Sequence, residues 1–163
     1  MFRRILVPID GSPTSNRSLE EAIALARDQS ARLCLLHVVD ELVVTQGFEG
    51  VAYIPESYMD DFMDALREDG KKLLARAEAR ARRRRVKVET ALLETVGHRV
   101  AELILKHAKK WRADVIVLGT HGRRGLSRLL MGSDAEMVVR EAPVPVLLVR
   151  SPQRARRHRG RRR

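Results

Sequence analysis

The stretch Val115-Ile116-Val117-Leu118-Gly119-Thr120-His121-Gly122 decides the fold, because an apolar run rich in β-branched residues passes directly into glycines. Such a run is typical of a buried parallel strand, and open α/β sheets bind phosphorylated ligands where these strands end. Further on, Gly132-Ser133 precedes a segment of helical pattern, for which Ser133 or Asp134 is the predicted N-cap. Glycines allow close approach to a ligand, and a helix N-terminus attracts anionic oxygens. The stretch therefore predicts a phosphate-binding loop.

The rest of the chain alternates strand and helix patterns on both sides of this loop. Strands are predicted at residues 4–9, 33–39, 86–93, 114–118 and 144–149. Helices are predicted from Ser12-Pro13 onward, over 58–84 and 97–110, and after Ser133, whereas residues 40–55 are interpreted as a loop. Alternation of this kind predicts a single doubly wound α/β domain, residues 1–150. We expect a five-stranded parallel sheet of order 3-2-1-4-5 with helices on both faces.

Two loops are expected to face each other where the strand order reverses in such a sheet. The first is Pro8-Ile9-Asp10-Gly11-Ser12 and the second runs from Gly119 to Ser133. Asp10 supplies an acceptor for a purine amino group, a ribose hydroxyl or a metal, and the glycine loop supplies donors for phosphates. The pair indicates a nucleotide. The alternatives are that Asp10 fixes a turn or caps the first helix, and that His121 has a structural role in the loop.

The net charge of +11 belongs mostly to the end of the chain, since residues 154–163 contain seven arginines and no acid. The remainder is only mildly basic, at +4. We interpret residues 151–163 as a disordered arginine-rich tail, because like charges without apolar residues cannot form a core. The tail is either a solvated extension or a contact for nucleic acid or an anionic membrane surface. The run Arg82-Arg83-Arg84-Arg85 is explained in part by the dipole of the helix that it ends.

The sequence shows no signal for catalysis, for a metal site or for a membrane span. No nucleophile–base pair, Walker lysine motif or carboxylate pair is apparent, so binding without efficient chemistry is expected, with slow hydrolysis or autophosphorylation left open. Apolar runs are too short to cross a bilayer, and no signal peptide pattern opens the chain. The single cysteine, Cys34, is interpreted as a buried inert thiol, and a reducing, cytoplasmic location is expected.

Three motifs resemble the universal stress protein family in order and spacing. They are Ile5-Leu6-Val7-Pro8-Ile9-Asp10-Gly11-Ser12, the loop from Leu118 to Leu126 with Met131-Gly132-Ser133, and the closing strand Ala142-Pro143-Val144-Pro145-Val146-Leu147-Leu148-Val149. The resemblance covers roughly residues 2–150. Because the glycines of the loop are all present, it implies the ATP-binding branch of the family. ATP-dependent adenylating enzymes are disfavoured, since Asp10-Gly11-Ser12-Pro13 matches neither of their loop motifs.

The resemblance also implies which residues hold the nucleotide. Pro8, Ile9 and Asp10 would line the adenosine side, with Val38 packing on the base. The residues that would hold ribose and phosphates are Gly119, His121, Gly122, Gly132 and Ser133. Asp134 departs from the family pattern, and its carboxylate would repel a triphosphate unless Mg²⁺, Arg123 or Arg124 screened the charge, or unless it caps a helix.

The predicted function is a cytoplasmic, ATP-binding stress-response protein that regulates a partner or process through its nucleotide state. The apolar strand 144–149 would be a sheet edge, and the family resemblance likewise implies a homodimer joined through it. The alternative function is a regulator that uses no nucleotide, or a nucleic-acid-binding protein that acts through the basic tail.

Overall fold

The computed structural model describes residues 1–40, 56–95, 98–120 and 131–150. These residues form five strands and four helices in strict alternation. In chain order they are β1 Arg4–Pro8, α1 Pro13–Gln29, β2 Arg32–Val39, α2 Glu56–Arg83, β3 Lys87–Glu94, α3 Val100–Trp111, β4 Val115–Gly119, α4 Ser133–Glu141 and β5 Val146–Val149. The predicted loop at 40–55, apart from Asp40, and the arginine tail lie outside the described residues.

The five strands form one parallel sheet of order β3-β2-β1-β4-β5, which confirms the predicted architecture. The chain therefore moves from β1 outward to β3 and then returns to the other side of β1 with β4. β1 and β2 stay paired as far as Pro8↔Leu36. The pairing of β1 with β4 covers Ile5↔Val115 and Leu6↔Ile116. The topology places the reversal of strand order between β1 and β4.

Each face of the sheet carries its own hydrophobic core, because successive strand residues point to opposite faces. Ile5 and Val7 of β1 belong to the core beneath α1 and α2, whereas Leu6 belongs to the core beneath α3 and α4. The central strands β1 and β4 are buried on both faces apart from Arg4. Buried strands of this kind are typical of a doubly wound sheet.

The element ends differ from the predicted ones by a few residues. β5 begins at Val146 and not at residue 144, because Pro145 has no N–H to donate to a ladder. α1 has the predicted cap: the Ser12 side chain accepts a hydrogen bond from the Ser15 N–H, and Pro13 is its first residue. Within the described part of the chain, no helix has the length and apolar character that a membrane span requires.

Candidate functional site

The turn between β1 and α1 is held by a compact set of hydrogen bonds. Asp10 Oδ1 accepts from the Ser12 N–H at 2.9 Å, and Gly11 has a φ of 82°, a conformation that glycine adopts readily. The Asp10 N–H in turn donates to Ser15 Oγ at 3.3 Å. Asp10 therefore fixes the turn, as one sequence-based interpretation expected, while its carboxylate stays at the carboxyl edge of the sheet.

His37, at the end of β2, ties this turn to the neighbouring strand. Its Nδ1–H donates to the Ile9 carbonyl oxygen at 2.7 Å, and the Ile9 N–H donates to the Leu36 carbonyl oxygen at 2.8 Å. The His37 side chain is buried, and Gly70 of α2 lies so close that a Cβ there would stand 2.7 Å from His37 Cδ2. Sequence reasoning assigned no role to His37, because its partner lies on a different strand and leaves no local signal.

Gly119, the last residue of β4, packs against the first turn of α1. A Cβ at Gly119 would lie 3.1 Å from both the carbonyl carbon and the Cβ of Thr14. That spacing is tighter than ordinary van der Waals contact, so a side chain would push β4 and α1 apart. In the structure, Gly119 brings the end of β4 up to the turn that carries Asp10.

The two ends of the glycine segment meet at the same edge. The Thr120 N–H donates to the Val149 carbonyl oxygen, and the Gly132 N–H donates to the Thr120 carbonyl oxygen, both at 3.0 Å. The second of these bonds joins the residues that flank the segment 121–130. His121, Gly122 and Arg123, three of the predicted site residues, lie outside the described residues.

The predicted cap of α4 is wrong. Gly132 occupies the N-cap position without a side-chain hydrogen bond, and Ser133 is the first helical residue and is exposed. Asp134 caps a different helix: its Oδ1 accepts from the Ala101 N–H at 3.3 Å, near the start of α3. The residue at the N-cap of α3, Arg99, makes no side-chain capping bond, so Asp134 supplies what α3 lacks locally.

The structure thus brings one group of predicted site residues to the carboxyl edge of the central strands. Two elements bound that edge, the β1–α1 turn and the start of α4. Val38 on β2 is half-buried and packs against the core beneath α3. The group at the edge consists of Pro8, Ile9, Asp10, Gly119, Gly132 and Ser133.

Several titratable side chains outside this edge are engaged in structural contacts. Arg67 forms a bidentate pair with Glu94, at 2.8 and 2.9 Å, and this hydrogen bonding lowers the pKa of Glu94. Burial raises the pKa of Cys34 to about 12, so the thiol is protonated and unreactive near neutral pH; its Sγ lies 3.4 Å from His107 Nε2. Burial lowers the pKa of His107, with Lys110 adding to the effect. Among the described residues, no group of three or more His, Cys, Asp or Glu side chains could hold a metal ion.

Comparison with known proteins places this architecture in a family. The sequence profile of the Universal stress protein family matches residues 1–150. Universal stress protein YxiE of Bacillus subtilis is 37% identical over 151 residues, which cover 92% of this chain and 100% of that protein.

Solved structures agree with the sequence relatives. Protein MJ0577 of Methanocaldococcus jannaschii superposes with a TM-score of 0.78 at 26% identity, covering 93% of this chain and 98% of that one. A universal stress protein from Archaeoglobus fulgidus, solved in complex with dAMP, shares the fold with a TM-score of 0.61 at 24% identity, over 90% of this chain and 97% of that one. The doubly wound sheet, the glycine-bounded edge and the profile match agree, and the chain belongs to the universal stress protein family.

Proposed function

We propose that this protein binds ATP at the carboxyl edge of β1 and β4 and regulates a cytoplasmic partner or process through its nucleotide state. One observation carries the proposal. The turn that holds Asp10, the end of β4 at Gly119 and the start of α4 at Gly132 lie together at the carboxyl edge of the sheet, where the strand order reverses. A crevice at this position is where open α/β sheets bind ligands.

Each side of the crevice suits one part of a nucleotide. On one side, the Asp10 carboxylate accepts hydrogen bonds, which suits a ribose hydroxyl or a purine amino group, with Val38 available to pack on the base. On the other side, the N-terminus of α4 suits phosphates. The sequence of the glycine segment, with His121, Gly122 and Arg123, offers further donors for them. The dAMP complex of the Archaeoglobus protein supports an adenine nucleotide on this fold.

Asp134 is assigned to the cap of α3 and not to a phosphate contact, because its Oδ1 already accepts from the Ala101 N–H. The carboxylate keeps its charge in this bond, so a triphosphate bound beside α4 would still need Mg²⁺, Arg123 or Arg124 to screen it. Mg²⁺ would then reach the site with the nucleotide, bound to its phosphate oxygens, a mode that is common for this ion. The assigned role is binding without catalysis.

The test is calorimetric titration with ATP, with and without Mg²⁺, of the wild-type protein and of Asp10→Asn. Asparagine keeps an Oδ1 that accepts from the Ser12 N–H, so the turn and the melting temperature should be preserved. Loss of the charge should weaken ATP binding about tenfold or more, as expected for a charge-assisted hydrogen bond. Asp28→Asn, at the other end of α1, is the matched control and should bind ATP as the wild type does.

Two results would contradict the proposal. Failure of the folded wild-type protein to bind ATP would remove the nucleotide function. Wild-type affinity in Asp10→Asn, together with loss of binding in Gly122→Val, would keep the nucleotide but take Asp10 out of the site.

A further inference from the structure

The amino end of the sheet, opposite the proposed nucleotide crevice, carries cations on three neighbouring strands. Arg4, Arg32 and Lys87 are register partners at the starts of β1, β2 and β3. Since register partners project to the same face and neighbouring strands lie about 4.8 Å apart, Arg32 stands between two further cations. Arg4 is half-buried, with its guanidinium 4.3 Å from the centre of the Trp111 ring, whereas Arg32 and Lys87 are exposed.

The end of α2 extends this band beyond the sheet. Residues 82–85 are four exposed arginines that lead into β3. Arg82, Arg85 and Lys87 line an open depression of about 430 Å³, together with Val86 and Val88. Within this band, the exposed cations that make no ion pair with a described residue are here called the basic edge; they are Arg32, Arg83, Arg84, Arg85 and Lys87.

The charge of the basic edge is not neutralised within the described chain. None of its members forms an ion pair with a described residue, whereas Arg82 is paired with Glu78 at 2.7 Å. The nearby carboxylates are engaged elsewhere: Glu89 accepts from Trp111 Nε1 at 2.7 Å, and Asp114 accepts from the Arg4 N–H at 2.9 Å.

Local structure accounts for only part of these cations. The dipole of α2 favours the arginines of its last turn, Arg82 and Arg83. It does not account for Arg32 and Lys87, which begin strands. Nor does it account for Arg85, whose φ is 60°, a left-handed conformation that glycine usually occupies at a helix end. The uncompensated positive charge therefore favours binding of an anionic ligand.

We propose that the basic edge binds the phosphodiester backbone of a nucleic acid. A nucleic acid duplex presents one negative charge per about 1.7 Å of its axis, and arginine forks match phosphate oxygens well. Elements that lie on a membrane combine cations with an exposed apolar face. Beside the basic edge, Val86 is buried and Val88 is half-buried, so neither presents an exposed apolar side chain for insertion into a membrane. This inference does not depend on the nucleotide site, which occupies the other end of the sheet.

The test measures binding of a fluorescent DNA duplex of about 20 base pairs to the full-length chain, by anisotropy at several salt concentrations. The test variant replaces Arg32, Arg85 and Lys87 with glutamine. The matched control replaces Arg17, Lys71 and Lys72 with glutamine as well. These three exposed cations are ion-paired on α1 and α2. Both remove three charges at exposed positions, so both should melt as the wild type does.

We expect the basic-edge variant to bind about tenfold or more weakly near 0.1 M salt, and the control to stay within about twofold. The slope of log K against log salt should flatten by about 0.9 for each lost phosphate contact. Saturating ATP should leave the affinity for the duplex unchanged, because the two sites lie at opposite ends of the sheet.

Equal weakening in both variants, or in neither, would overturn the proposal, because total charge or the arginine tail would then account for binding. Absence of duplex binding by the wild type would also overturn it. Binding to vesicles that contain phosphatidylserine is measured for the same proteins. If the wild type binds these vesicles but not the duplex, and the basic-edge variant does not bind the vesicles, the surface is assigned to membranes instead.

Discussion

Two glycines in this protein allow close packing because they have no side chain. Gly119 admits the first turn of α1 at Thr14, and Gly70 admits the buried ring of His37. In the sequence, Gly70 reads as a weak point in a long helix, costing about 1 kcal/mol relative to alanine. In the structure it is a contact that keeps α2 close to β2, where His37 holds Ile9.

Replacing Gly70 with alanine should lower the free energy of unfolding by about 1–2 kcal/mol, because overpacking outweighs the gain in helix propensity. The new Cβ would lie 2.7 Å from His37 Cδ2 and 2.9 Å from Leu92 Cδ1, and the hydrogen bond to Ile9 restrains the histidine. Urea unfolding measures the difference. Asp69→Ala, at an exposed neighbouring position, should stay within about 0.5 kcal/mol of the wild type. A more stable Gly70→Ala variant would contradict this prediction and would mean that the His37 side chain moves to make room for the new methyl group.

Asp10 combines an observed structural role with a proposed binding role. Its Oδ1 accepts from the Ser12 N–H and shapes the turn, and the turn keeps the carboxylate at the crevice. From the sequence, fixing the turn and binding a ligand were alternative interpretations of Asp10. Asparagine separates them experimentally, because it retains the acceptor and loses the charge.

At the scale of elements, α3 and α4 are joined by a cap that crosses between helices. The start of α3 lacks a side-chain cap of its own, and Asp134 from the first turn of α4 accepts from the Ala101 N–H. The bond fixes α4 against α3 on one face of the sheet. Since α4 begins beside the proposed phosphate side of the crevice, α3 helps to position that helix.

Removing this cap should destabilise the protein by about 0.5–1 kcal/mol in Asp134→Ala, the range for loss of a capping side chain. Asp134→Asn should lose less, because it keeps an acceptor oxygen. Glu136→Ala is the matched control, since Glu136 is an exposed acid in the same turn and shares the effect on the helix dipole. Thermal melts of the three variants make the comparison, and equal losses in Asp134→Ala and Glu136→Ala would contradict the capping role.

At the scale of the whole molecule, β5 is an edge strand with apolar side chains at the surface. Leu147 is 44% exposed, although its register partner Val117 on β4 is fully buried. An exposed apolar edge favours pairing with another strand. We therefore propose a homodimer joined through β5.

Light scattering coupled to gel filtration should show the wild type at twice the mass of one chain and Leu147→Lys at the mass of one chain. A charge at this position would be buried without a partner in the dimer, which is costly. Val139→Lys, on α4, changes an equally exposed apolar residue and should remain dimeric. A monomeric wild type, or a dimeric Leu147→Lys, would place the interface elsewhere or remove it.

The local pattern of apolar and polar residues in the sequence was sufficient to predict the fold of this protein. The alternation of apolar strands and amphipathic helices predicted the doubly wound sheet, since it follows from which residues can be buried in each element. The family resemblance identified the edge residues Asp10, Gly119 and Gly132 as a site. Their role in nucleotide binding remains a prediction.

Only the tertiary structure revealed the contacts between residues far apart in the chain. The bond from His37 to Ile9, the space at Gly70 and the cap from Asp134 to Ala101 leave no periodic signal, because each depends on how strands and helices pack. The same holds for the register of Arg32 with Lys87, which gathers cations from separate strands into one surface. Periodicity determines which side of an element is buried, whereas packing of the assembled layers determines which distant side chains meet.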